Sequence, residues 1–309
     1  MISFEGQTVI VSGAGRGLGR LYALDLARRG ASVIVNDVGS AMSGEGADQR
    51  IADQVVEQIG RGGGTAVASY ASVDTPAGGL EIVDTALAAF GRVDAVVSNA
   101  GIFHTVPFDD LAVDDWRRML QVHLDGAFHL SQPAYRQMKE QGYGRFVFIA
   151  SSAGLFGQPN SAHYAAAKAG TVGLANVIAI EGEPHGILAN CVLPFGYSRM
   201  VFETVGDRDD LEPDPGFLHA IEPELVVPMV SYLASRSCEL THHSFSACAG
   251  RFARVFVGLG EGWLADPGSA PTAEDIAAHL ADAAADKPYI IPASIFDEVT
   301  QVCSRLGIA

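Results

Sequence analysis

The chain has 309 residues, 48% of them hydrophobic and 35 of them glycine, which suits the core of one doubly wound α/β domain. A formal net charge of −16 argues against nucleic acid or an anionic membrane as partner. No apolar run reaches a membrane span and no secretory leader is read at the start. The four cysteines (Cys191, Cys238, Cys248, Cys303) lack C-x-x-C spacing, so a reduced, cytoplasmic setting is expected.

The first element is TVIVS at Thr8–Ser12, a short β-branched run that reads as a buried strand. Gly13, Gly17 and Gly19 follow in a G-x-x-x-G-x-G turn, and Leu18, Tyr22 and Leu26 then recur at helical spacing. A strand, a glycine turn and a helix in this order place backbone N–H groups against a diphosphate, with Arg16 and Leu18 inside the turn. The second strand, Ser32–Asp37, ends on a carboxylate that suits the adenosine ribose hydroxyls of NAD. Val38–Arg50 reads as a loop over the adenosine end, and Ile51–Gly60 as a helix. Ala66–Ser69 is a third strand, followed by Ser72 and Val73 where an adenine ring would rest. Ala77–Phe90 is a helix, and the fourth strand Asp94–Ser98 runs into Asn99-Ala100-Gly101. Regular alternation predicts a doubly wound parallel sheet (a Rossmann fold) with helices on both faces.

Val113–Phe128 reads as a long helix, Arg145–Ala150 as a strand ending at Ser151, and Asn160–Glu183 as an Ala/Gly-rich helix. Leu188–Leu193 is the sixth strand. Pro194–Ala220 is irregular, with the character of a lid or substrate wall. Pro223–Ser235 reads as helix, Phe245–Ala249 as a seventh strand and Arg251–Leu259 as a hairpin extension. Helices over Thr272–Ala285 and Ser294–Leu306 close the chain. Residues 1–309 are expected to form one domain, of which 251–309 is a C-terminal extension.

Tyr164 and Lys168 lie four residues apart on one helical face, thirteen residues after Ser151. Oxidising a secondary alcohol needs a base for the hydroxyl proton. A phenol with a pKa near 10 serves if a neighbouring ammonium favours its ionised form. Serine can hold the substrate oxygen. The histidines, His104, His163, His185, His242 and His243 among them, show no ligand spacing, so no metal is expected.

On SGAGRGLG at Ser12–Gly19, SNAG at Ser98–Gly101, Ser151 and YAAAK at Tyr164–Lys168, the chain resembles the short-chain dehydrogenase/reductase family. It is similar above all to the (3R)-hydroxyacyl-CoA dehydrogenase part of peroxisomal multifunctional enzyme type 2. That likeness shows in NDVG at Asn36–Gly39, VHLDGAF at Val122–Phe128, GLANVIAIEG at Gly173–Gly182 and SRM at Ser198–Met200. The resemblance implies Ser151 as substrate-orienting hydroxyl, Tyr164 as acid/base and Lys168 as ribose ligand and pKa modifier. It implies a cofactor site lined by Asn99, Ala100, Gly101, Pro194, Gly196 and Ser198, and a homodimer or homotetramer. Three departures stand out. His123 occupies a position where many members have Asn. Phe195 and Tyr197 flank Gly196, where Pro-Gly is usual. Arg16, a residue that accompanies NADP in some members, sits beside the NAD-favouring Asp37. The expected reaction interconverts a secondary alcohol and a ketone, with a (3R)-hydroxyacyl-CoA as substrate. The alternatives are a steroid or terpenoid alcohol, or a cofactor-binding sensor or scaffold without turnover. Val201, Phe202, Phe217 and Leu218 are expected to wall an acyl channel, with Arg199, Arg208, Arg251 and Arg254 near its mouth.

Overall fold

In the computed structural model, residues 2–196 and 220–308 are described. The first half alternates as expected: β1 (Thr8–Ser12), α1 (Gly17–Arg28), β2 (Ser32–Asn36), α2 (Arg50–Arg61), β3 (Thr65–Ser69), α3 (Pro76–Phe90) and β4 (Ala95–Ser98). Then come α4 (Val113–Leu120), a π-helical turn (Gln121–Asp125), α5 (Gly126–Gln141), β5 (Gly144–Ile149), α6 (Ser152–Phe156), α7 (Ala162–Gly182) and β6 (Ile187–Phe195). Beyond residue 219 follow α8 (Val227–Ala234), β7 (His243–Cys248) and β8 (Arg251–Val255).

These strands form one sheet in the order β3-β2-β1-β4-β5-β6-β7-β8, and the pairings from β3 through β7 are parallel. The central strands are short runs rich in Val, Ile and Phe, as a sheet covered on both faces requires: β1 and β5 are buried at every position. Ala249 and Gly250, with φ of 51° and 75°, make the two-residue turn that reverses β7 into β8. Tyr22, Leu26, Ala52, Val55 and Ile59 of α1 and α2 pack with Val9, Val11, Val33 and Val35 of the sheet in one buried cluster. The chain leaves β1 towards β2 on one side, while β4 pairs on the other. The crevice for a ligand therefore opens at the carboxyl ends of β1 and β4.

Two helices differ from expectation. The helix starting at Val113 does not stop at Phe128; it passes through the π-turn and continues as α5 to Gln141, with Pro133 inside. Proline lacks the N–H that would bond the His129 carbonyl four residues back. Gly79 of α3 packs directly on that carbonyl, so close that a Cβ there would collide with it. The proline is thus accommodated by helix packing that local sequence does not announce. The predicted helix over 272–285 is two short pieces, α9 (Ala273–Ala278) and α10 (Leu280–Ala283), broken at His279.

By its internal contacts the chain forms two compact units, Met1–Arg254 and Val255–Ala309. In the second, β9 (Leu259–Gly260) pairs antiparallel with β10 (Tyr289–Ile290). Thr272 and Asp275 form a reciprocal capping box at the start of α9. Trp263 stacks on His279 with ring centroids 4.4 Å apart, and the unit ends in α11 (Ile295–Leu306). Among the described residues no helix is long and apolar enough to cross a membrane.

Candidate active site

A cleft of about 370 Å³ lies at the carboxyl ends of the strands. It is lined by Gly13, Arg16, Gly17, Leu18, Gly19, Asp37, Ser72, Val73, Asn99, Ala100, Gly101, Ser151, Tyr164, Lys168, Pro194 and Gly196. Every expected cofactor and catalytic residue in the described part of the chain therefore faces one space. Ser198 lies outside the described residues. So do Tyr197, Val201, Phe202, Phe217 and Leu218, together with Arg199 and Arg208.

At one end, α1 begins at Gly17 with Arg16 as its N-cap, and no side chain caps it. The N–H groups of the first turn are thus available to an anion. Gly19 has no room for a Cβ against the Gly13 carbonyl, which holds this helix end tightly on β1. Asp37 accepts hydrogen bonds from the N–H of Gly15 at 2.8 Å and of Gly39 at 2.7 Å. That fixes a carboxylate beside the turn with lone pairs still available for a ribose. Arg16 donates to the Ser40 carbonyl at 2.9 Å. Asn99 braces the crevice itself. Its side-chain amide donates to the carbonyls of Ser12 at 3.0 Å and Gly13 at 3.1 Å, and the Ser12 hydroxyl accepts from the N–H of Asn99 and Ala100. An anion-ready helix end, a fixed carboxylate and an apolar shelf at Val73 fit a dinucleotide.

At the other end, Ser151 caps α6, accepting from Ala153 N–H at 3.2 Å, and its side chain hydrogen-bonds Tyr164. The Tyr164 ring is held between two edge-on rings, Phe103 at 5.0 Å and His123 at 5.2 Å. Lys168, one helical turn on, places its ammonium 5.7 Å from the Tyr164 ring centre and donates to the Ile149 carbonyl at 2.6 Å. Both side chains are buried, Tyr164 9% and Lys168 5% exposed. Burial pushes the Tyr164 phenol up, and the Ser151 hydrogen bond offsets only part of this. Burial lowers Lys168 to about 8. The expected lowering of the phenol by Lys168 is therefore not the dominant effect in the protein alone; desolvation is, because neither group faces bulk water.

His123 sits in the π-turn, 4% exposed. Its Nε2 lies 2.7 Å from the Ile102 carbonyl and 3.1 Å from the Ile102 N–H, so whether it donates to the one or accepts from the other follows the tautomer. Nδ1 is buried without a hydrogen-bond partner among the described residues. Burial, then the Lys168 charge, hold this imidazole neutral, well below its ordinary pKa.

Several neighbours were not singled out from sequence. Met42, in the loop after β2, packs with Ile102, Phe103, Met119, Val122 and Tyr164, so this loop reaches the catalytic end as well as the adenosine end. Arg118 also lines the cleft. His104 and His163 meet Nε2 to Nε2 at 3.2 Å although 59 residues separate them. None of these has a local pattern that would mark it.

A family model described as short chain dehydrogenase matches residues 7–207. The chain belongs to the short-chain dehydrogenase family. It is 41% identical over 282 residues to a short-chain type dehydrogenase/reductase of Mycobacterium tuberculosis, covering 91% of this chain and 95% of that one. It is 41% identical over 266 residues to peroxisomal multifunctional enzyme type 2 of Drosophila melanogaster, covering 86% of this chain but only 43% of that protein. The solved structure of the full-length fly enzyme superposes with a TM-score of 0.82 at 30% identity, over 99% of this chain and 50% of that one. Carveol dehydrogenase from Mycobacterium avium in complex with NAD superposes with a TM-score of 0.74 at 27% identity, over 81% of this chain and 99% of that one. As a short-chain dehydrogenase the chain is an oxidoreductase of CH–OH groups that uses a nicotinamide cofactor.

Proposed function

We propose that the protein uses NAD to interconvert a (3R)-3-hydroxyacyl-CoA thioester and its 3-ketoacyl counterpart. The observation that carries this reading is the meeting of Ser151, Tyr164 and Lys168 in the same cleft as the uncapped end of α1. A bound nicotinamide supplies the hydride acceptor. Ser151 and Tyr164 together hold the substrate oxygen, and Tyr164 takes the hydroxyl proton. Lys168 is the cation that supports the phenolate before it accepts this proton and becomes a phenol, and its anchor on the Ile149 carbonyl keeps the ammonium in place. Asp37 supports NAD over NADP, because a half-buried carboxylate repels a 2′-phosphate, while the Arg16 side chain is engaged by Ser40.

The acyl-CoA substrate rests on relatives such as the fly multifunctional enzyme, of which this chain spans less than half. A terpenoid or steroid alcohol is the second reading, supported by the likeness to carveol dehydrogenase. We also propose a homodimer or homotetramer. Phe128 of α5 and Val177 and Ile180 of α7 are about half exposed on helices joined by the Tyr135 hydroxyl and the Glu181 carbonyl. The proposed setting is cytoplasmic, on the cysteine pattern, although several relatives are named as peroxisomal.

The substrate class is tested by kcat/KM for (3R)-hydroxyacyl-CoA thioesters, their pantetheine analogues and free secondary alcohols. Truncation to pantetheine should cost at least tenfold, because binding energy from the remote nucleotide supports the transition state. Free alcohols turning over more efficiently than thioesters across several chain types would move the assignment to the second reading.

A further inference from the structure

We propose that Arg118 is a strap across the dinucleotide cleft, setting the rate at which the cofactor leaves. The proposal rests on the cleft being a dinucleotide site. Arg118 lies on α4 at the catalytic side. Its guanidinium pairs with Asp74 at 2.7 Å, on the segment that carries Ser72 and Val73 beneath the expected adenine. A second nitrogen of the same guanidinium donates to the Gly44 carbonyl at 3.4 Å, in the loop after β2. One side chain therefore joins three segments that border the cleft and share no regular hydrogen-bonding ladder.

The loop is seated at two further points. The Phe103 N–H donates to the Met42 carbonyl at 3.1 Å, and the Met42 side chain packs into the Tyr164 cluster. Gly44, at φ 86°, lies so close that an added Cβ would stand 3.0 Å from Ile102 and 3.4 Å from the guanidinium. Gln121, one turn after Arg118, reinforces the Asp74 side by donating to its carbonyl at 3.4 Å. Burial alone would raise the Asp74 carboxyl, but its bonds to Ser72 and Arg118 outweigh this and hold it ionised, so the pair persists through neutral pH.

Ser40, Ala41, Met42 and Gly44 all line the cleft. A dinucleotide running from Asp37 and Val73 to Tyr164 would lie against these loop residues, so holding Met42 and Gly44 down would hinder its exit. Opening requires the guanidinium to give up Gly44, and motion of this kind is what sets release rates in many enzymes. Arg118 is a positioning residue: it acts through the loop and Asp74, not on the reacting atoms.

The test measures NADH dissociation by stopped-flow fluorescence displacement, together with hydrogen exchange over residues 38–49 in the NADH complex. Arg118→Ala should speed NADH release at least fivefold and raise exchange across 38–49. Arg118→Lys keeps a charge for Asp74 but loses the fork, and should fall between the two. If Arg118→Ala does not fold, Arg118→Lys with an unaltered melting temperature provides the reading. Release within twofold of wild type in the folded variants, or unchanged exchange over 38–49, overturns the strap. Failure of the unaltered protein to bind NADH or NADPH would instead remove the dinucleotide reading and the strap with it.

Discussion

Replacing Lys168 by methionine should change how stability depends on pH. The amine is buried behind Tyr164, and burial lowers its pKa from 10.5 to about 8. Between those values the unfolded chain still binds the proton while the folded protein has released it. Wild-type stability therefore rises as pH increases from about 8 to 10.5, and the full penalty for the buried charge applies below 8. At about 1.36 kcal/mol per unit, that penalty is about 3 kcal/mol at pH 7 and about 1 kcal/mol at pH 10. The 2.6 Å bond to the Ile149 carbonyl favours the ammonium, so these are upper values. Tyr164 and Cys191, the latter pushed up to about 12 by burial, respond in the same alkaline range. The informative quantity is hence the difference between wild type and Lys168→Met at each pH. Urea unfolding should show that difference change by about 2 kcal/mol between pH 7 and pH 10, the variant losing ground as pH rises. A difference constant within about 0.5 kcal/mol would refute the burial of a charged amine at this position.

Tyr164→Phe should lower kcat by at least about a hundredfold with NADH affinity nearly unchanged, since it removes a proton acceptor and leaves the ring between Phe103 and His123. Steady-state turnover within tenfold of wild type would contradict the assignment. Asp37→Ala should narrow the preference for NAD over NADP, read as the ratio of the two kcat/KM values. Tighter NADP than NAD binding in the unaltered protein would show that Arg16 dominates. Light scattering at micromolar concentration should give a dimer or tetramer mass, and a monomer would contradict the role given to Phe128, Val177 and Ile180.

The local part of this architecture was legible before any coordinates. Strand β1 is TVIVS as expected, and the strand–glycine turn–helix unit follows because both the strand and the turn are written in consecutive residues. The same holds for Ser151, Tyr164 and Lys168, whose spacing alone places them together once the sheet forms. Relations through space carry no such signal. The continuation of the 113 helix past Phe128 depends on Gly79 meeting the His129 carbonyl, fifty residues apart in the chain. Arg118 looks like any charged helix residue until Asp74 and Gly44 are brought beside it. The upward shift of Tyr164 in the protein alone is not legible in the sequence, because spacing reports the nearby cation, whereas burial of both groups is a property of the whole fold.

The bare start of α1 has a consequence for the molecule as a whole. Helix α3 carries its own cap at Thr75, and α6 is capped by Ser151, whereas α1, like α2, α4 and α7, has none; the first turn of α1, at Gly17–Gly19, lines the cleft. Its first-turn N–H groups are left to solvent or to an anion that arrives from outside. Because α1 lies on the central strands through Tyr22 and Leu26, an anion seated there is coupled to the packing of the sheet core. A cofactor that binds only the folded chain adds RT ln(1 + [L]/Kd) to its stability, about 2.7 kcal/mol at a hundred times Kd. The same helix end that would hold the diphosphate thus makes the lifetime of the folded protein a function of cellular dinucleotide concentration. A chain kept short of cofactor would be cleared sooner than one kept supplied.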